Sequence, residues 1–216
     1  MKKTGYVIFI TLLFSFGFSE VGFYDKNESD SAGTTKVMAV SGFSGNLLMP
    51  STKITDEVLL IGKPAPTFVL PDLNNDYIFL RYFCGEKLKR SFKIKNQQKN
   101  IVLLSFFASW CVPCKKEIPH LENISKNLQD KPVKLFLVNV GESKSKAMEF
   151  LDSLNVSLPV LLDTYKKVSD QFKVSTLPRL VLIDRNGIVR GYKIGYAESE
   201  DLESLLLNAI NQLLEE

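Results

Sequence analysis

The stretch at residues 101–114 constrains this chain more than any other. A near-continuous apolar run of strand length, 101–107, is followed closely by Cys111-Val112-Pro113-Cys114, then by Ile118, Leu121, Ile124 and Leu128 at helical spacing. An apolar run without alternation marks a strand buried on both faces, which requires a layer on each side of its sheet. Residues 133–140 repeat that pattern and give a second buried strand. A helix over 111–128 lies between them. Beyond it the periodicity predicts helices over 143–154, 164–172 and 198–214 and strands over 158–162, 179–184 and 188–194. The last two strands are joined by the tight turn Asp184-Arg185-Asn186-Gly187. Extended segments at 67–70 and 77–83 come before the first buried strand. Strands alternating with helices and ending in a hairpin predict a three-layer α/β domain with a central mixed sheet flanked by helices.

Composition narrows the function classes. The chain of 216 residues carries 27 basic and 24 acidic side chains, a net charge of +3. That balance lacks the basic footprint of general nucleic-acid binding, so no nucleic-acid partner is expected. His120 is the one histidine. A His-rich metal site is therefore excluded, and any Ser-His-Asp triad would have to use that residue. Three cysteines are too few for a disulfide-stapled scaffold.

Lys2 and Lys3 precede an uncharged run over 5–18, with Gly17 and Ser19 as small residues ahead of a cut before Glu20. The run has the length of a signal-peptide core and is short for a membrane span. Residues 1–19 read as an export signal, with an uncleaved N-terminal anchor as the alternative. Both readings place the rest outside the cytoplasm, either periplasmic or on the outer face of the membrane. Residues 20–61 read as a linker or poorly ordered lead, with 37–40 and 58–61 as candidate short strands, and 62–216 as the folded domain.

A thiol in the first turn of a helix faces unpaired backbone N–H groups and the positive end of the helix dipole. Both favour thiolate over thiol. Cys111 is accordingly the candidate attacking sulfur. Cys114, one turn on, is the candidate resolving sulfur that closes a disulfide and releases a bound partner. Pro113 suits the first turn, where its missing N–H costs nothing. A Cys₃His zinc site from Cys84, Cys111, Cys114 and His120 is an alternative, although His120 lies about 120° around the helix from Cys114. Covalent haem attachment is excluded because Lys115, not histidine, follows Cys114.

The segment from Phe106 to Pro119, FFASWCVPCKKEIP, resembles the active-site segment of the thioredoxin superfamily. More narrowly it resembles the extracytoplasmic TlpA/ResA/DsbE-like thiol–disulfide oxidoreductases. The similarity covers about residues 62–214, including Leu158-Pro159-Val160-Leu161-Leu162-Asp163, which looks like that group's extra strand–helix insertion. The resemblance implies that Glu117 tunes the cysteines and relays protons. The residues agree in part, since Glu117 shares a helix stripe with Leu121, Ile124 and Leu128 and would be partly desolvated. The alternative is a solvated face with Lys115 and Lys116. Pro119 in mid-helix is expected to kink the helix. In Ser175-Thr176-Leu177-Pro178 the resemblance implies a cis proline packed on the cysteine pair, with the Leu177 backbone pairing with incoming peptide. The residues alone show only a proline that starts an edge-compatible strand.

Three features depart from the family pattern. Arg179 follows the proline, where a small residue is usual; it would bring a cation near the site or point to solvent. Cys84 reads as a buried, inert thiol, with a resolving or regulatory thiol as the alternative. The stretch after it is long and holds Lys87, Lys89, Arg90, Lys93, Lys95 and Lys99, a solvated loop or a docking surface for an acidic partner or membrane.

The function expected is thiol–disulfide exchange with protein cysteines. Cys111 attacks, Cys114 resolves, Glu117 handles protons, and Trp110, Leu177 and Pro178 shape the docking surface. The sulfurs carry the electrons, so no organic cofactor is required. The resemblance implies a reductant that is recharged by a membrane thiol/disulfide electron donor and serves cytochrome c maturation. A peroxidase of the same fold would have threonine where Ala108 stands. The alternative from another class is a non-catalytic binding or chaperone module of the same fold, or a zinc-binding protein.

Overall fold

The computed structural model describes residues 60–85 and 99–216. The readings for residues 1–59 and for the basic stretch at 86–98 lie outside the described residues.

The chain runs β1 (Val69–Pro71), β2 (Tyr77–Phe79), β3 (Ile101–Phe107), α1 (Val112–Asn127), β4 (Val133–Val140), α2 (Lys144–Asp152), β5 (Val160–Asp163), α3 (Lys167–Gln171), β6 (Arg179–Ile183), β7 (Val189–Ile194) and α4 (Leu202–Glu215). Five strands form one sheet in the order β5-β4-β3-β6-β7. β4 runs parallel to β3 and β5, while β6 and β7 are antiparallel additions. This is the mixed sheet expected from the pattern.

All seven residues of β3 are buried. Ile101, Leu103 and Phe107 point into a cluster shared with α1 and α4, whereas Val102, Leu104 and Phe106 point into a second cluster on the other face. The first face is covered by the stripe Cys114, Ile118, Leu121 and Ile124 of α1 and by Leu202, Leu206, Ile210 and Leu213 of α4. Each fully buried Leu or Ile there is worth roughly 1.5–3 kcal/mol. The second face is covered less regularly, by Val168 of α3 with Phe172 after it, and by Phe68, Leu70 and Leu80 of the leading hairpin.

The structure corrects several sequence expectations. The segment over 77–83 is a strand only to Phe79. The 3-10 turn Leu80–Tyr82 follows, closed by the Phe83 and Cys84 N–H groups on the Leu80 carbonyl. Residues 60–61 form a turn rather than a strand, and the chain joins the sheet just after it, through Gly62 N–H on the Val189 carbonyl (2.8 Å) and a bridge between Pro64 and Ile188. The helix over 164–172 shortens to Lys167–Gln171. Asp163 at the end of β5 takes the Val168 and Ser169 N–H groups, and Lys166 adopts a left-handed conformation (φ 59°) ahead of the helix. Pro178 precedes an interior strand and not an edge, since β6 pairs with both β3 and β7. A proline is tolerated there because it stands just before the ladder. Helix α1 continues through Pro119.

At the β6–β7 turn, the Asp184 carboxylate accepts the Asn186 and Ile188 N–H groups. Gly187 has φ +78°, and a Cβ there would lie 2.9 Å from the Gly85 Cα. Both the turn and the backbone approach require glycine.

Candidate active site

The cysteine pair sits where β3 hands over to α1. Cys111 is the N-cap of α1, with extended backbone, and its Sγ accepts the Cys114 N–H at 3.2 Å. Cys111 and Cys114 are joined in a disulfide, with Cα atoms 5.3 Å apart. Cys111 Sγ thus occupies a capping position, where backbone N–H groups and the helix dipole converge and favour negative charge. Both cysteines are buried, while Trp110 and Val112 beside them are each 67% exposed.

The approach to Cys111 is fixed from the side. Glu142, after β4, accepts the Ser109 N–H (2.8 Å), the Ser109 hydroxyl (2.6 Å) and the Asn139 amide (2.9 Å), and pairs with Lys146 (3.2 Å). Burial pushes this carboxyl up, yet its donors outweigh that and hold it below its usual range. The carboxylate therefore clamps the turn that presents Trp110 and Cys111. Nothing local to the sequence of Glu142 signals this contact, which spans 33 residues.

Glu117 lies three residues after Cys114 on the buried face of α1. It is 1% exposed, whereas Lys115 and Lys116 are exposed, so it does not belong to their polar face. Its Oε1 accepts the Ser105 hydroxyl at 3.0 Å, and its Oε2 has no hydrogen-bond partner. Burial pushes the carboxyl from 4.5 up to about 7. The Ser105 bond and the charge of Lys193 act against that rise, and Glu200 adds to it. A carboxyl that titrates near neutrality is suited to accept and return protons at ordinary pH. Ser105 was legible in retrospect as the lone hydroxyl in an apolar strand.

The Leu177–Pro178 peptide bond is cis. Leu177 is half-buried and packs against the cluster that contains both cysteines. Pro178 is buried, and its carbonyl accepts the Gly195 N–H at 2.9 Å. A groove of about 530 Å³ opens beside the disulfide, lined by Val112, Pro113, Lys116, Tyr196, Glu198 and Ser199. Lys116 and Glu198 pair across it.

Arg179 goes to neither of its expected places. It is 1% exposed, and its strand register puts it beside Phe106 and on the face of Val181 and Ile183, away from the cysteines. Its Nη2 donates to Thr176 Oγ1 at 2.9 Å. Cys84 is buried on that same far face. The four residues of the zinc alternative are therefore not brought together, and His120 is engaged by Glu203 (2.8 Å) and the Tyr196 hydroxyl (3.0 Å). Among the described residues no group of three metal-ligating side chains could hold a metal ion.

The family model described as Redoxin matches residues 60–206, more than half of the chain. The chain belongs to the Redoxin family. Thiol-disulfide oxidoreductase ResA of Bacillus subtilis (strain 168) is 39% identical over 128 residues, 59% of this chain and 64% of that protein. ResA of Geobacillus thermodenitrificans (strain NG80-2) is 30% identical over 146 residues, 68% of this chain and 76% of that one. Among solved structures, the thiol:disulfide interchange protein DsbE from Chlorobium tepidum matches with a TM-score of 0.59 at 26% identity, covering 71% of this chain and 97% of that chain. The fold is thus thioredoxin-like. With its Cys111–Cys114 disulfide, this Redoxin-family member is a thiol–disulfide oxidoreductase.

Proposed function

We propose that this oxidoreductase works outside the cytoplasm as a reductant of disulfides in partner proteins. The observation that carries the reading is the buried carboxyl of Glu117, three residues after a disulfide whose first sulfur caps the same helix. In the reduced enzyme the Cys111 thiolate attacks a partner disulfide. One partner sulfur leaves as thiolate, and a mixed disulfide forms. The Cys114 thiol then gives its proton to the Glu117 carboxylate and attacks Cys111 Sγ. The second partner sulfur leaves, and Cys111–Cys114 is oxidised as the partner is reduced by two electrons. Glu117 then releases its proton to solvent. A membrane thiol/disulfide donor returns the electrons.

Trp110 and Val112 on the exposed rim, with Leu177 and Pro178 behind the pair, form the surface on which the partner docks. The uncharged run after Lys2 and Lys3 supports an extracytoplasmic location, as does the likeness to extracytoplasmic ResA and DsbE. That same likeness supports cytochrome c maturation as the process served.

The test is a redox titration of the full chain followed by the emission of Trp110, the only tryptophan, which adjoins Cys111. A two-electron midpoint well below the glutathione poise of about −240 mV is expected. A midpoint well above that poise would make the protein an oxidant or isomerase and end the maturation reading.

A further inference from the structure

Glu117 is the acid at this site, but two other charged residues on the same face of the sheet act on it. Strand register aligns Ser105 of β3 with Leu180 of β6, and Leu180 with Lys193 of β7. These three residues form one row across the sheet, and the carboxyl of Glu117 sits over the Ser105 end of it. With strands about 4.8 Å apart, Lys193 stands about 10 Å from Ser105. Lys193 is 5% exposed, an unusual burial for a lysine. Its Nζ is fixed by the Glu200 carboxylate at 2.8 Å and the Gly195 carbonyl at 2.8 Å.

The remaining surroundings of Glu117 are neutral or engaged elsewhere. From β3 it meets the hydroxyl of Ser105. From its own helix, Cys114 is in the disulfide, Lys116 pairs with Glu198, and His120 faces Glu203 and Tyr196. β7 contributes Lys193, and the turn ahead of α4 contributes Glu200. Those are the two charges that reach it, and they act with opposite sign.

We propose that Lys193, held in place by Glu200, is a positioning residue for thiol exchange, setting when Glu117 takes up and releases the proton it exchanges with Cys114. This rests on reading Glu117 as the proton carrier. Lys193 favours the carboxylate of Glu117, and Glu200 restrains Lys193 so that it does not hold that carboxylate permanently charged. At the spacing of two strands, about 10 Å, a unit charge acting through protein is worth roughly one pH unit of titration midpoint, which sets the scale of the effect.

The test follows the Glu117 carboxyl by ¹³C NMR in the oxidised full chain with labelled glutamate, the signal being assigned by its loss in Glu117→Gln. In Lys193→Met the midpoint should rise by roughly one pH unit. In Glu200→Gln it should fall, and in Lys193→Arg it should return close to that of the unaltered protein. A general loosening of the fold would move the first two variants in the same direction, and that result overturns the proposal, as does no shift in either. If Lys193→Met fails to fold, the more exposed Glu200→Gln decides alone through the sign of its shift. Insulin reduction by Glu117→Gln separates the two readings. A rate and pH profile equal to those of the unaltered protein would remove Glu117 from proton transfer, while the NMR shifts would still report whether Lys193 and Glu200 govern it.

Discussion

Cys84 and Cys111 sit on opposite faces of one sheet with nearly the same exposure, 2% and 3%, and in opposite chemical surroundings. Cys111 caps a helix, with an N–H already donated to its sulfur and a buried acid on the same helix. Cys84 belongs to the apolar cluster that also holds Val102, Phe136 and Ile183, and its Sγ lies 3.9 Å from the Leu80 carbonyl, an acceptor. Burial pushes its thiol up to about 12, Asp184 adds to that rise, and Lys99 only partly offsets it. Burial alone therefore does not decide whether a cysteine reacts. What decides it is whether the groups facing the sulfur stabilise a negative charge.

The largest effect that would test this contrast is loss of the sulfur proposed to attack. Cys111→Ser should lower insulin reduction by roughly a thousandfold or more. Cys114→Ser should instead accumulate mixed disulfides visible on non-reducing gels, and full activity in Cys111→Ser would remove the attacking role from this sulfur.

The next effect concerns stability. Because the Glu117 carboxyl is raised in the folded protein, folding favours its protonated form. Its stabilising contribution is complete below pH 4.5 and is lost as pH rises through about 7. The rise is worth about 3 kcal/mol. Denaturant titrations of the oxidised protein at pH 4.5 and pH 8 should show that loss, and Glu117→Gln should lack it. Equal pH dependence in both proteins would show that Glu117 does not titrate as a buried acid.

Trp110→Ala should lower kcat/KM for a folded protein substrate about tenfold, as removal of an exposed aromatic anchor does. It should leave reaction with a small disulfide nearly unchanged. A similar loss with both substrates would mean that Trp110 shapes the site rather than docking the partner.

The smallest effect belongs to Cys84. Cys84→Ser should keep the exchange rate within about twofold while costing about 1 kcal/mol of stability. Iodoacetamide at pH 8 should leave Cys84 unlabelled in the folded protein, and rapid labelling would end the contrast drawn above.

Local pattern carried much of this molecule into view. The sequence span 133–140 and the strand Val133–Val140 coincide, because an apolar run of that length has one way to be buried between layers. The cysteine pair was legible for a related reason, since a strand followed at once by a helix fixes where its first thiol must stand. Other features depend on partners remote in sequence. Glu142 reaches back 33 residues to Ser109, and Lys193 acts on Glu117 at a distance only because the sheet sets β7 two strands from β3. Arg179 read as a cation near the site or in solvent because nothing beside it in sequence announces that β6 is an interior strand. Leu80 ends β2 early for the same reason: its own carbonyl closes a turn that lets its side chain enter the far cluster.

The stem at Phe83–Gly85 and Lys99–Asn100 has a practical consequence. The Asn100 N–H donates to the Phe83 carbonyl at 2.7 Å, the Lys99 ammonium to the Gly85 carbonyl at 2.6 Å, and the Gly85 N–H to the Arg185 carbonyl at 3.1 Å. Both ends of the stretch between are therefore fastened to the domain whatever the length of chain joining them. Closing a longer chain between two points that are already held together costs only about 0.6 kcal/mol per doubling of its length. The stem also lies at the opposite end of β3 from Cys111, about 20 Å away by the rise of a strand. An epitope or reporter domain spliced between Gly85 and Lys99 should ride on the enzyme without obstructing its disulfide, which makes this junction a natural place for a handle.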